Sequence, residues 1–333
     1  MMASDSLPVV AFTMGDPGGN GPELVLRVLD YFSSSYPFIP LVFGSKSLLD
    51  HPFLKPYVKH KAIELTDFSK PFEQNVLYFH DVSMKESIVY KKASAVNGQL
   101  AYSYLCNAVE SIQKGVADVL VTAPICKESF QMADIPFTGH TTALKQLTGS
   151  KHVSMAFHTS TLNVVLATIH VPLSAVSDLI TPQLLQEKLD HAVLFLNMLG
   201  NDHCRVALAG LNPHAGENGL LGDHEKNVLE PFIKTVSDRE DVTVSGPYPA
   251  DTLFYRAAQG EFDVVIAMYH DQGLIPIKLN HFNEAVNVTL GLPFIRTSPD
   301  HGTAFDRAYD SLSSMGSMLS ATRLACQLVG EDV

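Results

Sequence analysis

Five short runs of the chain are apolar almost throughout: Pro8–Met14, Asp118–Thr122, Asn163–Thr168, Arg205–Ala209 and Asp263–Met268. They are rich in Val, Ile and Leu and do not alternate with polar residues. That is the pattern of strands buried on both faces, as in a parallel sheet. Between them lie helical periods. Leu185, Leu189, Ala192, Leu196 and Leu199 recur every three or four residues and form one face of a helix. Thr181 suits its cap, Pro182 its first turn and Gly200 its exit. Ala101, Leu105, Ala108 and Ile112 make a second stripe, and Met315–Val329 reads as a C-terminal helix with Gly316 weakening its start. Strands alternating with helices predict an α/β protein with a largely parallel sheet.

The chain has 333 residues, enough for about two domains. No repeat or low-complexity linker divides it, so two domains sharing a sheet are expected rather than separate beads. Lys and Arg number 23 against 35 Asp and Glu, a net charge of −12. Such a chain lacks the electrostatic footprint of a nucleic-acid or anionic-membrane binder, although a local basic pocket remains open to it. No apolar run reaches the roughly 18–20 residues that span a bilayer. The first residues, with Asp5 and no Lys or Arg before Arg27, do not read as a secretory signal. Cys106, Cys126, Cys204 and Cys326 are scattered, as expected of reduced thiols in a cytoplasmic enzyme.

In open α/β sheets, ligands bind beyond the carboxyl ends of the strands. Three of the predicted strands run on into His170, His214 and His270. Three neutral imidazoles suit a catalytic divalent ion with an open position. The competing reading is one acid–base histidine with two bystanders. Polar, turn-forming segments surround them: Asn212–Gly219, His270–Gly273 and Thr138–Thr142 are read as loops where a site is built. Asp251 is either a base or a helix-cap residue. Lys278, Asn287 and Arg296 follow at intervals of nine, and cations beside a cleft of an acidic protein suggest an anionic small molecule. The first strand runs into Gly15-Asp16-Pro17-Gly18-Gly19-Asn20-Gly21. This is neither a Rossmann fingerprint nor a P-loop, and is either an anion site at a helix start or a tight turn.

Eight longer motifs, in order, carry a resemblance that covers almost the whole chain. They are Gly15–Glu23, Thr122–Lys127, Gly139–Thr141, His170–Leu173, Leu211–Glu217, Gly246–Leu253, Tyr269–Lys278 and Asn287–Asp306. The sequence resembles the 4-hydroxythreonine-4-phosphate dehydrogenase family of pyridoxal phosphate biosynthesis. It departs from the usual pattern at Met14, at Gly18-Gly19-Asn20 and at Thr142.

The resemblance implies two α/β/α domains like those of isocitrate and isopropylmalate dehydrogenases, one spanning 1–135 with 285–333 and the other 136–284. It implies metal ligands His170, His214 and His270 holding Zn, Mg or Co. It implies substrate contacts from His140, Thr141, Lys278, Asn287 and Arg296, with Lys278 and Asp251 as candidates for proton handling. NAD or NADP is expected without a Rossmann fingerprint, near Gly15, Gly19 and Gly21 and near an adenosine-side loop bearing His301, Gly302 and Asp306. A homodimer sharing metal ligands between subunits is also implied. The reaction expected is oxidation of 4-phosphooxy-L-threonine. The alternatives are a phosphorylated threonate or erythronate as substrate, or a three-histidine metallohydrolase.

Overall fold

The computed structural model describes residues 7–59, 62–66 and 72–330. Met1–Ser6, which belong to the stretch read as lacking a signal, lie outside them. The chain forms two compact units, Met1–Lys151 with Leu292–Val333, and His152–Gly291.

The first unit holds β1 (Val9–Thr13), β2 (Ile39–Gly44), β3 (Ile63–Glu64), β4 (Tyr78–Asp81), β5 (Val119–Thr122) and, near the C-terminus, β12 (Ile295–Pro299). Their order is β3-β4-β2-β1-β5-β12, and the neighbours run parallel. Every residue of β1, β2 and β5 is buried, which is why these runs are apolar without alternation. Helices Gly21–Tyr31 and Ala95–Gln113 make crossovers. The predicted C-terminal helix runs Gly316–Leu328 and is tied to β12 by the Thr297 hydroxyl donating to the Ala321 carbonyl at 2.8 Å. Phe12, Phe38, Phe43, Phe79 and Tyr104 are fully buried in this unit. Burying an aliphatic or phenyl side chain of this size is worth about 1.5–3 kcal/mol.

The second unit holds β6 (Ser154–His158), β7 (Asn163–Leu166), β8 (Cys204–Ala209), β9 (Val242–Tyr248), β10 (Val264–Ala267) and β11 (Val286–Leu290). Their order is β11-β6-β7-β10-β8-β9. β7, β10, β8 and β9 are parallel, while β6 runs antiparallel to both β7 and β11. Phe157, Val164, Leu166, Ala207, Val265 and Ile277 belong to its core. The helix read from the leucine stripe spans Pro182–Met198. Thr181 caps it by accepting the Leu184 N–H at 3.2 Å, and Gly200 leaves it at a φ of 92°. All four cysteines are free thiols. Among the described residues no helix is long and apolar enough to cross a membrane.

The units divide at 151/152 and 291/292, where 135/136 and 284/285 were expected. The helix His140–Thr148 stays with the first unit, and its Leu147 carbonyl accepts from the Gln113 side chain at 3.3 Å. β11 stays with the second unit because it pairs with β6. Two segments expected as loops are helix starts. Thr138–Thr142 leads into His140–Thr148, and His270–Gly273 is the first turn of His270–His281. The polar residues of a first turn hide the helical period, which shows only further on, at Ala143 and Leu144 and at Leu274 and Ile277.

Candidate functional site

β7 and β10 are adjacent and parallel, so the chain leaving each arrives at the same edge of the second unit. His170 follows β7 and His270 follows β10. Their rings come together with centroids 5.6 Å apart, tilted by 42°. They line a cleft of about 330 Å³ with Ile169, Val171, Leu173, Val176, Tyr269 and Asp271. His270 Nδ1 meets Asp271 Oδ1 at 2.7 Å. That contact occupies Nδ1 and leaves Nε2 as the nitrogen a metal ion would use, the arrangement an outer carboxylate gives a metal-bound histidine. Two imidazoles on one tetrahedral ion have centroids about 5 Å apart, from a metal–nitrogen distance of about 2.0–2.1 Å. The His170–His270 pair therefore fits a divalent ion.

His214 is presented differently. Its segment leaves β8 and turns left-handed: His214, Ala215, Gly216, Glu217 and Asn218 have φ of 51°, 50°, 80°, 45° and 56°. Four of the five are not glycine. An L-residue in this region costs roughly 1–2 kcal/mol, and such strain persists where surrounding structure holds it. Among the described residues of one chain, no three His, Cys, Asp or Glu side chains gather closely enough to hold an ion. The structure thus brings two of the three expected ligands together and leaves His214 out of that group.

Lys278 and Asp251 do not line the cleft. Lys278 lies eight residues beyond His270 in the same helix, about 12 Å further along its axis. Its ammonium stands 5.6 Å from the centroid of the Phe282 ring. Asp251 is exposed in the first turn of Ala250–Ala258, where a carboxylate favours the helix N-terminus. Asn287 sits in β11 opposite Phe157, and its Oδ1 is buried with no hydrogen-bond partner among the described residues.

The first unit carries Arg296 and His140. Arg296 is 2% exposed in β12, with Nε and Nη2 donating to the Thr122 hydroxyl at 3.1 and 2.6 Å. Register explains the contact. Arg296 pairs with Leu120 of β5, and Thr122 is the next residue along on the same face. Burial pushes the guanidinium down to about 9, so it stays charged at neutral pH yet has been stripped of water. His140 starts its helix, with Nε2 buried and unpartnered among the described residues. Burial, and then the charge of Arg296, hold its imidazole well below the usual histidine range. Thr141 follows, half-buried. A desolvated cation beside a neutral ring and a hydroxyl is an environment made for an anion.

A neutral His140 ties stability to pH. Unfolded histidine takes up a proton near pH 6.5, and the folded ring resists it. The folded-state value is depressed, so the contribution is fully present above about pH 6.5 and is lost progressively as pH falls below about 6.5 toward the folded ring's own lower value. Urea unfolding between pH 7.5 and 5 should show stability falling with acid. His140→Gln should reduce the slope by up to one proton, about 1.4 kcal/mol per pH unit. An unchanged slope would show that this ring is not held neutral.

The glycine loop is packed against its own chain. A Cβ at Gly15 would stand 2.2 Å from the Pro124 carbonyl oxygen, one at Gly19 2.8 Å from Thr303, and one at Gly21 2.3 Å from the Met14 carbonyl oxygen. The Asn20 N–H donates to the Thr303 carbonyl at 2.8 Å, and the Tyr309 hydroxyl to the Pro17 carbonyl at 2.5 Å. These glycines therefore serve close backbone packing, and they bring the loop to the 301–309 segment. His301 accompanies them, its Nε2 buried and unpartnered among the described residues; Gly302 and Asp306 are exposed. Thr122, Asp271 and Tyr309 escaped the sequence reading. Thr122 and Asp271 lie inside the motifs, but only the register and the helix start show what they touch.

Residues 38–325 match the family model described as Pyridoxal phosphate biosynthetic protein PdxA. The chain is 38% identical over 325 residues to a D-threonate 4-phosphate dehydrogenase of Salmonella typhimurium, covering 96% of this chain and 98% of that one. It is 40% identical over 319 residues to a 4-hydroxythreonine-4-phosphate dehydrogenase of Ruegeria, covering 95% of each. The crystal structure of a 4-hydroxythreonine-4-phosphate dehydrogenase from Klebsiella pneumoniae superposes with a TM-score of 0.86 at 34% identity, over 98% of this chain and 100% of that one. A β-decarboxylating dehydrogenase from Thermococcus kodakarensis shares the fold alone, at 11% identity and a TM-score of 0.50 over 98% of this chain and 85% of that one. The chain belongs to the pyridoxal phosphate biosynthetic protein PdxA family.

Proposed function

We propose that this protein is a metal-dependent, NAD(P)-linked dehydrogenase that oxidises the secondary alcohol of 4-phosphooxy-L-threonine. The product is 2-amino-3-oxo-4-phosphooxybutanoate, a β-keto acid that loses CO2 to give 3-amino-2-oxopropyl phosphate. The observation that carries this reading is the His170–His270 pair at the ends of adjacent strands, backed by Asp271 and lining one cleft. A divalent ion bound there would acidify the substrate alcohol. His170 and His270 would hold the ion, and a His214 from a partner subunit would complete the set in a homodimer. Arg296, with His140 and Thr141, would receive the phosphate. Asn287 would offer its buried, unpartnered acceptor to a substrate N–H or O–H. Lys278 or Asp251 would handle the proton. The nicotinamide cofactor would lie along the glycine loop and the His301 segment, with hydride as the group transferred.

A second reading has its own support: the Salmonella typhimurium relative named for D-threonate 4-phosphate is as similar to this chain as the Ruegeria relative is, within two percentage points. That substrate keeps the phosphate and a secondary alcohol and lacks the amino group. The relatives described above are named as dehydrogenases and lend the metallohydrolase reading no support. Absorbance of NADH or NADPH at saturating cofactor, with each phosphorylated acid in turn, separates the readings. Turnover of 4-phosphooxy-L-threonine at least tenfold more efficient than that of D-threonate 4-phosphate is expected. The reverse order would select the second reading, and no reduced cofactor with either would sink both.

A further inference from the structure

We propose that Glu225 is a positioning residue that holds the left-handed turn and so sets the direction of His214; this rests on the reading of His214 as a metal ligand. Glu225 is 2% exposed. No basic side chain pairs with it among the described residues. A buried carboxyl without a counter-charge is costly unless its oxygens accept hydrogen bonds. Both do, and both from one residue: Oε1 accepts the Asn212 N–H at 2.7 Å, and Oε2 accepts from Asn212 Nδ2 at 2.9 Å. Asn212 is the residue at which the chain enters the turn, two before His214.

The same carboxyl closes the turn from its other side. A Cβ on Gly216, two residues after His214, would lie 2.7 Å from Glu225 Oε2 and 2.7 Å from the Gly222 carbonyl oxygen. Gly216 therefore lies against the carboxyl with no room for a side chain. The turn has backbone bonds of its own, among them Ala215 N–H to the Asn212 carbonyl, Leu220 N–H to that of Glu217 and Leu221 N–H to that of Gly216, each at 3.1 Å. Four non-glycine residues at positive φ still carry the local cost of that backbone region, so contacts from outside the turn matter. Glu225 itself opens a single π turn, Glu225–Leu229, a wider helical turn of the sort found beside functional sites. The structure thus brackets His214 between two contacts with one buried carboxyl.

The test uses the full-length protein, Co2+ as the metal probe and its visible absorption as the readout. Glu225→Ala should weaken Co2+ binding at least tenfold and speed amide hydrogen exchange across 213–219 in the metal-free protein. Glu225→Gln should bind within threefold of wild type, because its oxygen accepts the Asn212 N–H and its amide donates to a flipped Asn212 side chain. Wild-type binding and exchange in Glu225→Ala would overturn the proposal, and so would a Gln variant as weak as the Ala variant. If Glu225→Ala does not fold, Gly216→Ala decides, with the same two losses expected and wild-type behaviour overturning the proposal. His214→Ala binding Co2+ as tightly as wild type would refute the metal reading alone, since the exchange of 213–219 reports on Glu225 without the metal.

Discussion

Replacing His170 or His270 with alanine should remove the bound divalent ion and lower turnover at least a hundredfold. The two rings share a cleft, and Asp271 fixes the orientation of one of them. A metal that stabilises an alkoxide contributes several kcal/mol, and a hundredfold corresponds to about 2.7 kcal/mol. Elemental analysis of the purified variants reads the metal directly. Full occupancy in both would refute the assignment. Thermal unfolding should stay within a few degrees of wild type, because the core beneath, from Val164 to Ile277, does not depend on the ion. His214→Ala should behave alike, with one added consequence. In a dimer whose third ligand comes from the partner, mixing inactive His170→Ala with inactive His214→Ala subunits regenerates one intact site per mixed dimer. Recovered activity is expected after subunit exchange. None at all would place the three ligands on one chain.

How far the sequence speaks depends on what each element touches. β1, β5, β7, β8 and β10 are legible because nearly all their residues are buried, so the apolar run is continuous. β3 is exposed, and β9 is exposed or half-buried at every position after Val242, so neither gives such a run. The strand-end positions of His170 and His270 are legible for the same reason as their strands. Their meeting depends on β7 and β10 being neighbours, which no local pattern records. The regular spacing of Lys278, Asn287 and Arg296 proves to be no structural period: they lie in a helix, in β11 and in β12. The left-handed turn is the least legible feature. His214, Ala215, Glu217 and Asn218 are ordinary residues, and what holds them is a buried side chain seven or more positions further on.

Arg296→Ala should lower kcat/KM more than tenfold. A small phosphorylated substrate offers its phosphate as a major handle, and a protein of net charge −12 must receive it with local positive charge. In the proposed reading Arg296 would supply that charge; it is buried, held in place by two bonds to Thr122 and stripped of water. A hydrogen bond to a charged group is worth roughly 1.5–3 kcal/mol, and about 1.4 kcal/mol is a factor of ten. Arg296→Lys should recover only part of the loss. An ammonium cannot keep the paired contact with Thr122 and grip an anion through a planar fork at once. Thr122→Val should move in the same direction by a smaller factor, since it leaves the charge and loosens its aim. Steady-state kinetics with phosphorylated and unphosphorylated 4-hydroxythreonine locates the partner. Without its phosphate the substrate should be poor for the wild type, and Arg296→Ala should then cost it far less. Equal losses for the two substrates would assign Arg296 to the carboxylate, the cofactor or the fold instead.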